Sequence, residues 1–163
     1  MTYDIAGARG RVSDPQGVVD RAQAWAAEHR AEILLADASV VFGRDHLESA
    51  VRHALRSRAS GTGVARDLGL ETLRYLCGQR QVSEAIRTGG LKATTEAVAV
   101  VVFEASPDEL LTYLDWTRDD SVLASGGKSL RALGIPRTEE TSLPPERAAD
   151  LALERTALLD LDK

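Results

Sequence analysis

One cysteine, one methionine, three lysines and seven aromatic residues in 163 positions close off several classes of function. A single thiol, Cys77, excludes an internal disulfide and any zinc site built from several cysteines. It lies on the apolar side of its segment and reads as a buried, inert thiol rather than a nucleophile. The longest apolar run, Ala97–Phe103, is far too short to span a bilayer. The opening Met-Thr-Tyr-Asp-Ile lacks the charged-then-apolar form of a signal peptide, so a soluble, cytoplasmic chain is expected. There is no Gly-x-Ser-x-Gly, no His-Glu-x-x-His, no Walker motif and no paired carboxylates in a glycine-rich setting. Gly126 and Gly127 precede Lys128 without the second glycine spacing of a phosphate loop. The sequence therefore leads to an expectation of no catalytic residue, no cofactor and no metal.

What is present is charge, unevenly spread. The chain carries −5 in total, yet Arg44–Lys92 holds nine basic residues against five acids, a local +4 that leaves −9 for the rest. An acidic chain with a basic middle suggests a polyanion bound at one place; a cluster of solvated surface arginines is the plainer alternative. Arginines outnumber lysines seventeen to three.

The length suits one domain, residues 1–163, large enough for a real core. Tyr3–Ala8 reads as a strand. Asp14 caps a helix opened by Pro15 and running to about His29. Short apolar runs at Glu32–Ala36 and Ser39–Phe42 read as strand, and Arg44–Ala59 as a helix burying Leu47, Ala50, Val51, Ala54 and Leu55. Glu71–Arg87 reads as two short helices hinged at Gly78, because glycine enters the left-handed region without penalty. Its turn holds three long donor-bearing side chains, Gln79, Arg80 and Gln81, an arrangement better suited to an anion or a base than to a core. Thr94–Glu104, β-branched and apolar, is expected to be a central strand buried on both faces. Ser106 and Glu109 are spaced for a capping box around Pro107. A strand at Val122–Ala124, a short helix at Ser129–Leu133, a linker at Arg137–Ser142 and a last helix from Pro144 and Pro145 complete the chain. The class is α+β, a small mixed, mainly antiparallel sheet flanked by several α-helices.

Arg52 and Arg56 stand one turn apart on the outer face of their helix, as solvated surface or as a phosphate track. His46 and His53 are about 10 Å apart along it, too far for one metal without a third ligand; hydrogen-bonded, partly buried histidines are the simpler reading. Leu158, Leu159 and Leu161 close a chain end, where polar residues are usual, so they pack on the core or form an apolar docking patch.

Val41–Ala54 (Val-Phe-Gly-Arg-Asp-His-Leu-Glu-Ser-Ala-Val-Arg-His-Ala) and Leu70–Ile86, with its Gly-Gln-Arg-Gln, resemble two signatures of the kinase-binding subunit of the KEOPS complex, related to the human PRPK-binding protein. Leu153–Leu161 and Gly7-Ala8-Arg9 resemble the family's terminal elements, and the arginine-rich, lysine-poor form looks archaeal. The resemblance implies a non-catalytic subunit of the machine that makes threonylcarbamoyl-adenosine in tRNA. Its partners would be the complex's atypical kinase-ATPase, other KEOPS subunits indirectly, and tRNA including the single-stranded CCA end. On the matching positions, Arg44, His46, Arg52, His53, Arg56, Arg74, Gln79, Arg80 and Gln81 are the expected RNA contacts, and Leu158, Leu159 and Leu161 the expected kinase contacts. Only Phe42 and Tyr75 are near enough to stack on bases, so arginine or aliphatic side chains would have to substitute. A regulator of the kinase that never touches RNA is the alternative, and an enzyme using His46 or His53 the last. Two fates are open to Arg80: an RNA phosphate, or an acid within the fold.

Overall fold

The computed structural model describes residues 1–135 and 147–161. Four strands, β1 (Tyr3–Arg9), β2 (Glu32–Asp37), β3 (Ala97–Phe103) and β4 (Thr117–Arg118), form one sheet in the order β2-β3-β1-β4. Every pairing among the described residues is antiparallel, which bears out the α+β class and narrows the mixed sheet to an antiparallel one. The helices are α1 (Pro15–Glu28), α2 (Arg44–Ala59), α3 (Leu68–Cys77), α4 (Val82–Gly89), α5 (Pro107–Leu114) and α6 (Ala148–Leu161). No helix among the described residues is long and apolar enough to cross a membrane.

The sheet has two buried faces because its strands alternate. Ile5, Leu34, Ala36, Ala99, Val101 and Phe103 point toward α2, α3 and α6, whereas Ala6, Ala8, Ile33, Leu35, Val98, Val100 and Val102 point toward α1 and α5. Strand β3 is therefore apolar at consecutive positions, as the sequence implies. Asp14 accepts the Gly17 N–H and Pro15 takes the first helical position of α1, as expected from sequence. Helix α2 has the predicted bounds, and α3 turns into α4 at Gly78 with φ 63°.

Five local expectations differ from what the structure shows. Ser39–Phe42 is not strand: the Asp37 carboxylate accepts the Ser39 N–H and the Thr95 hydroxyl, bending the chain into a 3-10 turn at Ala38–Val40. Val122–Ala124 is likewise replaced by a 3-10 turn at Asp120–Leu123, capped by Asp119. Ser106 makes no side-chain cap; α5 starts on Pro107 and on the Ser106 carbonyl, which accepts the Leu110 N–H. Ile86, expected on the buried side of α4, is 47% exposed. The short helix expected at Ser129–Leu133 is a 3-10 turn over Leu130–Leu133. The linker Arg137–Ser142 and the Pro144-Pro145 helix start lie outside the described residues.

Candidate functional site

Helix α3 can lie close along the edge strand β2 because Gly69 has no side chain: a Cβ there would sit 1.8 Å from the Ile33 carbonyl oxygen. Asp67 caps α3 by accepting the Leu70 N–H at 2.8 Å. From this anchored helix, Glu71 and Arg74 form a buried pair one turn apart, 2% and 1% exposed, with Arg74 Nη1 donating to Glu71 Oε1 at 2.6 Å. Each member also reaches outward. The Glu71 carboxylate accepts the backbone N–H groups of Val64 (3.2 Å) and Ala65 (3.2 Å), holding the loop after α2. Arg74 Nε donates to the Arg80 carbonyl at 2.8 Å, holding the α3–α4 turn.

Between loop and turn lies a cleft of about 590 Å³ lined by Thr62, Val64, Arg74, Arg80 and Gln81. Thr62 also borders a neighbouring hollow of about 550 Å³ with Arg56, Ser57, Ala59, Ser60 and Asp160. Arg56 in turn borders a third, of about 370 Å³, together with Arg52, His53 and two acids, Asp45 and Glu48. Thr62 and Arg56 each border two of these hollows, so the arginines of α2 and of the turn lie along a row of adjoining concavities.

The expected contacts divide sharply. Arg52, Arg56, Arg80 and Gln81 are exposed along this row, and Arg80 pairs with no acid among the described residues. Gln79 is half-buried and does not line the cleft. Arg44 is exposed at the start of α2, 3.9 Å from Asp4. Two expected contacts need correcting. Arg74 is the arginine that meets an internal acid, because it lies on the inner side of α3. His46 is fully buried: its Nδ1 accepts the Phe42 N–H at 3.0 Å, and Nε2 donates to the Leu76 carbonyl at 3.1 Å. Burial, with a backbone hydrogen bond opposing it, pushes its pKa down to about 4, so it is a neutral internal crosslink rather than an RNA contact. Phe42 and Tyr75 are also fully buried and offer no free ring face.

His53 stacks on the Tyr75 ring, with centroids 5.1 Å apart, and its Nδ1 meets the Asp160 carboxylate of α6. Tyr75 Oη donates to Asp160 at 2.5 Å, and Thr156 Oγ1 donates to the Tyr75 carbonyl at 2.7 Å. These bonds seat the last turns of α6 on α2 and α3. Of the three terminal leucines, Leu159 is 2% exposed and belongs to the core, which corrects its docking assignment; Leu158 and Leu161 are 45% and 78% exposed. No group of three His, Cys, Asp or Glu among the described residues could hold a metal ion. Cys77 is buried, and burial raises its thiol to about 12, so it is protonated and inert.

Sequence reasoning missed Glu71, Thr62 and Val64. An acid three residues before Arg74 on a helix was a readable signal for Glu71; nothing in the sequence marks Thr62 or Val64, which reach the cleft only because the loop is folded back.

The model of the family described as kinase binding protein CGI-121 matches residues 12–136. The chain is also 26% identical over 121 residues to a protein of Coccidioides immitis (strain RS) named EKC/KEOPS complex subunit CGI121, over 74% of this chain and 55% of that protein. It thus spans about half the length of the curated relative it matches. Strand β1 and helix α6 lie outside the family match. That match takes in α1 to α5 and both walls of the cleft, and with them both arginine-bearing signatures, so the chain belongs to the CGI-121 family of kinase-binding proteins.

Proposed function

We propose that this chain is a non-catalytic KEOPS subunit that docks on the complex's atypical kinase-ATPase and holds tRNA, supporting threonylcarbamoyl-adenosine formation. The relative named as a KEOPS subunit supports the first half, and so do Leu158 and Leu161, an apolar pair three residues apart on the outside of α6. The observation that carries the second half is the row of adjoining hollows bordered by Arg80, Arg56 and Arg52 in an otherwise acidic protein. Exposed guanidinium groups neutralise phosphates, while Gln81 can donate and accept at a base edge. The cleft beside Arg80 is roomy enough for an unpaired terminal nucleotide of the CCA end. With Phe42 and Tyr75 buried, the Arg80 plane and Val64 are the surfaces left for stacking.

Gel shifts with tRNA, with and without its CCA end, test the reading. Arg80→Glu is expected to leave unfolding within about 0.5 kcal/mol of wild type. It should weaken binding of intact tRNA and lower the slope of log affinity against log salt by about 1. Unchanged affinity, or equal binding of tRNA lacking CCA, would favour a regulator that acts on the kinase alone.

A further inference from the structure

The Glu71–Arg74 pair is in an expensive place. Removing two charges from water costs more than their attraction returns unless further hydrogen bonds are made, and apolar residues of similar size often give a more stable core. The extra bonds here are all directed to backbone at the two sides of one cleft. Glu71 accepts from Val64 and Ala65 on the loop wall, and Arg74 donates to the Arg80 carbonyl on the turn wall. Thr62, at the start of that loop, is fixed separately by its N–H donating to the Ser57 carbonyl at 2.9 Å. The loop, Gly61–Ala65, has no helix or strand of its own and carries Val64 58% exposed, so apolar packing does not hold it. At Val64 and Ala65 the loop wall is therefore tied to the turn wall through one carboxylate–guanidinium contact.

We infer that Glu71 is a positioning residue for RNA: by clamping Val64 and Ala65 to Arg74, and through Arg74 the Arg80 backbone, it fixes the width of the cleft that receives the tRNA 3′ end. The inference rests on the reading under Proposed function. It predicts that the role is geometric and not merely stabilising, which separates it from an ordinary buried ion pair.

The full chain is compared with Glu71→Gln and with the double variant Glu71→Met, Arg74→Met. Three readings are taken: thermal unfolding, amide hydrogen exchange at Val64 and Ala65, and the ratio of affinities for tRNA with and without CCA. The double variant should remain folded, with an unfolding temperature close to wild type or above it. Its Val64 and Ala65 amides should exchange at least about tenfold faster, and its affinity ratio should fall by about tenfold. Glu71→Gln keeps an acceptor oxygen and loses the charge, so its amide exchange and affinity ratio should fall between the two, while its unfolding temperature drops below both because Arg74 is left charged and unpaired. A folded double variant that keeps both amide protection and the affinity ratio overturns the inference while leaving the proposed function intact. A wild-type chain with no preference for the CCA end overturns the proposed function, and this inference with it.

Discussion

The cleft and the terminal turn of α6 are built from neighbouring residues of one helix by opposite means. At the cleft, Arg74 is 1% exposed and its charge is met by an equally buried carboxylate. At the terminal turn, Tyr75 brings a neutral hydroxyl to Asp160, whose side chain is 37% exposed. The next residue, Leu76, gives its carbonyl to His46 of α2. Arg74 and Tyr75, whose side chains point about 100° apart around α3, fasten the cleft and the last helix, and the Leu76 backbone carbonyl fastens α2. A charged contact that is dry must be matched completely, whereas a neutral hydroxyl that meets a half-exposed carboxylate costs less to lose.

The contrast can be broken at three places, in descending order of effect. Arg74→Ala leaves Glu71 charged and unpaired in the interior; a loss of about 3–5 kcal/mol is expected in urea unfolding. The His46 crosslink is tested by acid. Its folded pKa lies near 4, below the ordinary value of 6.5, so the unfolded chain takes up the proton first. Stability from this group is complete above about pH 6.5 and falls by about 3 kcal/mol as pH drops toward 4. A His46→Gln variant should show a visibly flatter acid limb over that window. Tyr75→Phe removes the hydroxyl that contacts Ser57 and Asp160 and should cost about 1–2 kcal/mol at neutral pH. Should Tyr75→Phe equal Arg74→Ala in its cost, the distinction between a charged and a neutral fastening would be wrong.

Much of the fold was legible from patterning. A continuous β-branched apolar run placed β3, a short run before Gly10 placed β1, helical spacing placed α1 and α2, and Gly78 announced the helical hairpin. The misses lie where a short polar side chain overrode local propensity. The Asp37 carboxylate turned an apolar run into a 3-10 bend, and Asp119 did the same at Asp120–Leu123. The site was legible in part. Arg52, Arg56, Arg80 and Gln81 were found on the surface as expected. His46 and Arg74 carry the same chemistry in the sequence but face inward, and Leu159 differs from Leu158 only in its angle around α6.

The sequence alone determined the class of fold, the hairpin with its donor-rich turn and the basic middle of an acidic chain, because propensity, glycine placement and charge are local properties. It also carried the family resemblance, which the match over residues 12–136 bears out. Only tertiary structure decided which polar groups are left for a partner. A guanidinium binds a phosphate or a buried carboxylate with the same geometry, and the choice depends on what lies across from it. For Arg74 that is Glu71, with a loop folded over it; for Arg80 it is open solvent at the mouth of a cleft.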